Sequence, residues 1–443
     1  MLKLVERLTR YKIQGLDSQP VVSGKLIRVV GLTLEATGCR APIGSLCKIE
    51  TVHGEMEVEV IGFSGEDLYL MPMEQIIEVL PGAKITPLTD KIGLPVGMEL
   101  LGRVIDGVGN PLDNLGPIYT EKRASFNTEP INPLIRKPIS EPLDVGLKAI
   151  NGLLTVGKGQ RIGLFSGSGV GKSVTLGMMT HGTTAQVTIV GLIGERGREV
   201  KEFIEQILGV EGRKNSVVIA APADTSPLMR LKGCQSALTI AEYFRDQGFD
   251  VLLLMDSLTR FAQAQREIAL SVGELPVAKG YPPSVFAKLR ELIERAGNRG
   301  KDEGSITAFF TILTEGDDLQ DPIADASCAI LDGHIILSRE MANAGHYPAI
   351  DIEKSVSRIM PRITTDKHIL LSKKVRRILS ICRQNQDLIS IGAYQPGKNP
   401  IIDNALALKT KLDQYLQQGI KERVPYDVSV NMLESILETD PIE

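Results

Sequence analysis

The chain has 443 residues, enough to bury more than one core, and 50 Lys and Arg against 54 Asp and Glu leave a formal net charge of -4. That balance gives no electrostatic reason for a nucleic-acid ligand, and 4% aromatic residues with no Trp leave little material for stacking bases. The five cysteines (Cys39, Cys47, Cys234, Cys328, Cys382) show no CxxC spacing and predict reduced thiols, and no apolar run reaches membrane-spanning length.

The first dozen residues, MLKLVERLTRYK, set Met1, Leu4, Val5, Leu8 and Tyr11 at helical spacing among charges. Two readings stand side by side: a helix packed on its own domain, or a helix that docks on a partner. The segment lacks the apolar stretch of a signal peptide, so an intracellular, soluble chain is expected. From about Val21 to Ile85 apolar and polar residues alternate, as in CKIETVHGEMEVEVIGF, which predicts a hairpin about His53-Gly54. Glycines at 24, 31, 38, 44 and 62 recur at strand-and-turn intervals and predict a small barrel. A Pro/Gly-rich passage, PVGMELLGRVIDGVGNPLDNLGP, leads to a region from about Ile150 to Met360 where apolar strands alternate with helices, the pattern of a parallel α/β sheet. After Pro361 the runs are helical: Leu408, Leu412 and Leu416 share a face, and Val428, Met432 and Ile436 share another.

Within the α/β region, LFSGSGVGKSV joins a short apolar strand, RIGLF, to a helix with no polar spacer. A glycine-rich linker would be flanked differently; a phosphate-binding loop explains each residue. Positive-φ glycines turn backbone N–H groups inward, so that Ser168, Gly169, Val170, Gly171 and Val174 with the helix N-terminus would cradle a polyphosphate. Lys172 would reach the β- and γ-phosphates, and the Ser173 hydroxyl would ligate Mg2+. The first position of the usual GxxxxGK[ST] pattern is Ser166 here. Downstream, the strand DVLLLMD ends at Asp256, placed to hold Mg2+ through water, with a helix N-cap as the plainer alternative. A further apolar strand, VTIVGLIG, delivers Glu195 to the strand tips, where a carboxylate can polarise water. GERGREV read alone could equally be a solvated run of charge.

The ordered blocks SGSGVGKS, GERGREV, MDSLTRFAQAQREIAL, GYPPSVFAKL, EGDDLQDPIAD and GHYPAIDIEKSVSRIM resemble the hexameric export ATPases of type III secretion, relatives of the catalytic subunits of rotary ATP synthases. GLTLEATGCRAPIGSLCKIE is more similar to the flagellar branch than to the injectisome branch. The resemblance implies a RecA-like P-loop core with an N-terminal β-barrel and a C-terminal α-helical domain; the expected division is the amphipathic segment at 1–18, a barrel at 19–95, an ATPase domain at 96–360 and a helical domain at 361–443. It implies Glu195 as general base, Glu199 as a second carboxylate near Mg2+, Arg196 and Arg260 as phosphate sensors, and Tyr347 stacked on adenine. Arg358 matches an arginine finger donated to the neighbouring subunit, and the loop Gly273 to Val285 matches one that faces a central pore. Cys328 stands where relatives often carry Arg.

Implied with these are ATP and Mg2+, a homohexamer, a regulatory stator-like partner at the N-terminus, a central coiled-coil stalk, the export gate and its substrates. Nucleic acid is not among the expected ligands, and the expected place is cytoplasmic, peripheral to the membrane at the flagellar base. Competing readings are an injectisome ATPase, a rotary ATP synthase catalytic subunit, a Rho-like RNA translocase and a non-catalytic nucleotide-binding subunit. Composition opposes the RNA reading, and Glu195 opposes the non-catalytic one.

Overall fold

The computed structural model describes residues 22–74, 78–88, 93–126, 128–300, 303–314 and 321–438; the N-terminal segment read at 1–18 lies outside them. The chain divides into two compact units, 1–91 and 92–443. That division falls before the expected 95/96 boundary, because Leu94–Val96 pairs with Lys122–Ala124 inside the second unit.

In the first unit six strands, β1 (Gly24–Val30), β2 (Thr33–Thr37), β3 (Leu46–Thr51), β4 (Gly54–Ser64), β5 (Asp67–Pro72) and β6 (Lys84–Pro87), close a barrel in the order β1-β2-β5-β4-β3-β6. Alternation puts Cys47, Ile49, Val58 and Val60 inside with Leu34, Leu70 and Ile85. The predicted hairpin forms, with Thr51 opposite Gly54. A Cβ on Gly24 would lie 2.6 Å from the Cys39 sulfur, so this strand can pass Cys39 only as glycine. Burial pushes the Cys47 thiol up to about 11. All five cysteines are free.

The second unit is built on a sheet ordered Ile350–Ser357, Gly333–Leu337, Arg161–Ser166, Ser305–Leu313, Asp250–Asp256, Val187–Ile193, Ser216–Ala221 and Val104–Ile105. Only the pairing of Ile350–Ser357 with Gly333–Leu337 is antiparallel along this path. The central strands are buried along nearly their whole length, which is why they read as continuous apolar runs rather than alternating ones. The C-terminal helices Asp366–Gln384, Pro400–Leu416 and Tyr426–Leu437 share a core with this body: Val375, Leu408, Leu412 and Leu433 join Leu147, Leu153 and Leu176 in one apolar cluster. Buried polar groups fix the join. The His368 ring lies 2.7 Å from the Gly152 carbonyl and 3.2 Å from the Tyr426 hydroxyl, and the Tyr415 hydroxyl donates to the Lys148 carbonyl at 3.0 Å.

Leu408, Leu412 and Leu416 are buried on one face, as their spacing predicts. In the last helix, Tyr426–Leu437, Val428, Met432 and Ile436 share a face as their spacing predicts, and of these Ile436 is partly buried against the core. The buried stripe of this helix is Ser429, Leu433 and Leu437, whereas Val428 and Met432 are exposed. The two faces differ by one position, and the spacing of apolar residues alone does not say which of them is buried. Leu433→Ala should therefore lower stability by about 2–5 kcal/mol. Met432→Ala should change it by less than about 0.5 kcal/mol. Thermal and urea unfolding of the two variants distinguish the faces, and the reverse order would refute the assignment.

Candidate active site

Four neighbouring strands end side by side: Arg161–Ser166, Ser305–Leu313, Asp250–Asp256 and Val187–Ile193. Parallel pairing makes all four carboxyl ends point the same way, so the loops that follow converge on one crevice. From the first strand the glycine-rich loop passes through Gly169 (φ 77°) and Gly171 (φ 90°) into the helix Lys172–Gly182. No side chain caps that helix, so its first N–H groups and positive dipole end are left to a ligand.

Lys172 is nearly buried, and its ammonium sits 2.9 Å from Glu195 Oε1 and 2.5 Å from Asp256 Oδ1. Burial works against its charge, but the two carboxylates outweigh that and hold it above the ordinary lysine range. Full burial likewise pushes the Asp256 carboxyl up, against the pull of the Lys172 charge. Asp256 Oδ1 takes a second hydrogen bond, from the Thr311 hydroxyl at 2.7 Å. The loop, the carboxylate strand end and Glu195 thus meet in one cluster.

Arg260 joins through packing. Gly194 turns the chain at φ 69°, and the Arg260 stem lies over it so closely that a Cβ there would be 2.7 Å from Arg260 Cγ. Arg260 Nη1 donates to Gln263 at 2.8 Å, while its buried Nε has no hydrogen-bond partner. An orphaned guanidinium nitrogen beside the strand tips fits an anion. Arg196 and Glu199 pair with each other at 3.4 Å, Arg196 largely in solvent. Tyr347 stands against the loop: its ring is 3.4 Å from where a Gly171 Cβ would be. It is 46% exposed and opens on a cleft of about 290 Å3 lined by Gly345, Gln417, Gln418 and Gly419. The Gln418 N–H donates to the Tyr347 carbonyl at 2.9 Å, and the Gln418 side chain is tied to Lys148, Gly146 and Glu422.

These groups suit a nucleoside triphosphate: N–H donors and Lys172 for phosphates, an unpaired Arg260 nitrogen for an anion, and an exposed ring for a base. Among the described residues no cluster of three His, Cys, Asp or Glu could hold a metal by itself. Ser173 and Asp256 would suit Mg2+, which usually keeps waters and phosphate oxygens as its remaining ligands.

Arg358 is elsewhere. Its N–H donates to the Asp332 carbonyl at 3.1 Å, and the Asp332 N–H donates to the Arg161 carbonyl at 2.9 Å. Arg358 is therefore level with the start of the phosphate-loop strand, whose far end at Ser166 is about 16 Å away at a strand's rise per residue. That separation exceeds an arginine's reach. The exposed guanidinium rests on the Leu331 and Cys328 carbonyls at 3.3 and 3.4 Å. The loop read as pore-facing runs from the helix Leu258–Ser271 to the helix Pro283–Glu294 and exposes Leu275 and Val277.

Reading the sequence missed Thr311, Gln417, Gln418 and the Gly194–Arg260 contact. Thr311 did leave a trace, as a hydroxyl inside the buried run ITAFFTIL. The glutamines left none, since the partners that tie them to the α/β body, His346 for Gln417 and the Lys148 N–H for Gln418, are some 70 to 270 positions away.

A phosphate loop, a strand-end aspartate and a neighbouring glutamate on this sheet define a P-loop ATPase. Residues 146–357 match the ATP synthase alpha/beta family, nucleotide-binding domain, and residues 364–435 match the type III secretion EscN ATPase C-terminal domain. The chain is 57% identical over 427 residues to the flagellum-specific ATP synthase of Pseudomonas aeruginosa, covering 96% of this chain and 95% of that one. It is 56% identical to that of Salmonella typhimurium, covering 94% of each. The assembled ATPase EscN of the enteropathogenic E. coli type III secretion system superposes with a TM-score of 0.89 at 41% identity, covering 94% of this chain and 100% of that one. EscN in complex with its central stalk EscO matches with a TM-score of 0.86 at 40% identity over the same shares. The chain belongs to the family of flagellum-specific ATP synthases.

Two substitutions test the geometry. Gly194→Ala forces a left-handed conformation on alanine, at about 1–2 kcal/mol, and displaces the Arg260 stem. Lower unfolding temperature together with lost turnover is expected; a variant equal to wild type in both would show that Arg260 is not held there. Lys172→Ala should abolish hydrolysis and weaken ATP binding, read by calorimetry. Near-normal turnover by a folded variant would remove the lysine from the mechanism.

Proposed function

We propose that the chain forms a homohexameric, Mg2+-dependent ATPase ring that hydrolyses ATP at its subunit interfaces to energise flagellar type III protein export. The observation that carries this reading is the division of the chemistry between the two ends of one sheet. Lys172, Asp256 and Glu195 meet at the carboxyl ends of the strands, while Arg358 lies exposed at the opposite end. An arginine that cannot reach the nucleotide of its own chain can serve a neighbour's.

In this scheme the loop residues 168–174 hold the phosphates and Lys172 leaves its carboxylates to bind the β- and γ-oxygens. Ser173 and Asp256, with Glu199 further out, hold Mg2+, which would neutralise phosphate charge when bound. Lys172 hands Glu195 the freedom to accept a hydrogen bond from the attacking water and then its proton. Arg260 and Arg196 read the phosphate, Tyr347 and the cleft beside it take the adenine, and Arg358 of the next subunit stabilises charge on the leaving group. In the ring the segment at 1–18 meets the regulatory partner, the export gate and its substrates are further partners, and the Leu275–Val277 loop faces a central stalk, as EscN has in EscO. Among the described residues no helix is long and apolar enough to cross a membrane, which suits a ring placed at the membrane by its partners. Relatives at 57% identity favour the flagellar system over the injectisome, whose EscN stands at 41%.

Glu195→Gln keeps shape and hydrogen bonding without the basic oxygen. It should bind ATP as wild type does and lose roughly 10²-fold or more in turnover. Equal losses in both would indicate a structural role. The ring itself is tested by mixing Arg358→Ala chains with Glu195→Ala chains, each inactive alone. Random assembly restores an intact base facing an intact arginine at about one interface in four, so partial activity should return. Mixed rings verified by native mass measurement yet still inactive would overturn action across the interface.

A further inference from the structure

We infer that Thr311 is a positioning residue for the ATPase reaction: its hydroxyl fixes the rotation of the Asp256 carboxylate, so that the second carboxylate oxygen stays presented to Mg2+. The inference rests on the phosphate-loop reading of the site and assigns a role to a strand that supplies none of its recognised groups.

Ser305–Leu313 is flanked by the phosphate-loop strand on one side and the Asp256 strand on the other. Leu164 pairs with Thr311 across one ladder, and Met255 pairs with Phe310 across the other. Continuing that register sets Asp256 opposite Thr311. Parallel partners point their side chains to the same face, so hydroxyl and carboxylate meet by construction. Thr311 has no exposed surface, and the strand around it, Ala308 to Ile312, is otherwise apolar and buried. Valine has the same shape and equal preference for a strand, so packing does not account for the hydroxyl. A buried hydroxyl is unfavourable unless it is hydrogen-bonded. This one donates to Asp256 Oδ1 at 2.7 Å.

Lys172 occupies the same oxygen at 2.5 Å. Two donors on Oδ1 leave Oδ2 as the oxygen through which Asp256 can meet a metal or its water. Once Lys172 moves to phosphate, Oδ1 keeps Thr311 as the donor that holds the carboxylate in place. Without the hydroxyl the carboxylate is free to turn at the step when Mg2+ must be held. Partners that orient a metal's ligands commonly change metal affinity or activity by 10- to 100-fold.

The experiment compares wild type, Thr311→Val and Thr311→Ser. A fluorescent ADP analogue is titrated onto each protein without metal, then with rising Mg2+, and kcat and KM for ATP are measured separately. Thr311→Val should bind the analogue normally without metal and need about tenfold more Mg2+ for half of the metal-dependent response. Its kcat should fall at saturating ATP and recover partly at high Mg2+, and Thr311→Ser should behave as wild type. Should Thr311→Val fail to fold, Thr311→Ala takes its place in the same titration. Unchanged Mg2+ dependence in a folded variant overturns the inference while leaving the site reading intact. Metal-free binding lost in proportion, or no recovery in Thr311→Ser, also overturns it, by showing a packing role. A wild-type protein with no Mg2+-dependent response would bring down the site reading and this inference with it.

Discussion

A lysine ammonium enclosed by protein must have a negative partner, and here it has two. Lys172 lies between Glu195 and Asp256, and each of the three reaches that point on a different segment of chain. Removing Lys172 would leave two neighbouring carboxylates without a compensating charge, which is the costly state for groups in a poorly hydrated crevice. The cluster thus ties together the phosphate loop, the strand-end carboxylate and the turn after Gly194. It also presets the chemistry, because the groups that hold Lys172 are those a phosphate would displace when the lysine changes partner.

The parallel sheet makes this meeting possible and simultaneously sends Arg358 away. Strands running the same way collect their following loops at one end, while the antiparallel strand Ile350–Ser357 returns to the other. Arg161, at the beginning of the phosphate-loop strand, binds the Asp332 carboxylate through its backbone and its guanidinium, and Asp332 in turn receives the Arg358 N–H. One strand therefore bears the phosphate loop at its end and, at its start, braces the turn that holds Arg358. Rigid strands transmit displacement with little loss, so the two ends of Arg161–Ser166 are mechanically joined.

The base-side cleft depends on a different alliance. Tyr347 comes from the α/β body, but the Gln417–Gly419 segment that faces it follows the helix Pro400–Leu416. Gln418 is pinned on several sides, and its N–H holds the Tyr347 carbonyl. The segment after the helix Pro400–Leu416 thus shapes the cleft beside Tyr347, and the C-terminal helices share one apolar core with the α/β body.

How much of this was legible beforehand depended on how local the cause was. The phosphate loop is written in consecutive residues, since glycine conformations, a lysine and a hydroxyl must follow one another for the backbone to wrap phosphate. The sequence likewise carried Asp256, as the polar end of an apolar strand, and the barrel, as alternation broken by turns. Glu195 stayed ambiguous with a charge run until resemblance and then its 2.9 Å contact with Lys172 gave it a partner. For the final helix the spacing named a shared face, Val428, Met432 and Ile436, and only the surface that the helix packs against decided that the adjacent face, with Leu433 and Leu437, is the buried one. Thr311, Gln418 and the Gly194–Arg260 contact were decided by tertiary structure alone. Each acts through a group distant in the chain, and hydrogen bonding and close packing depend on separation in space, which the order of residues does not state.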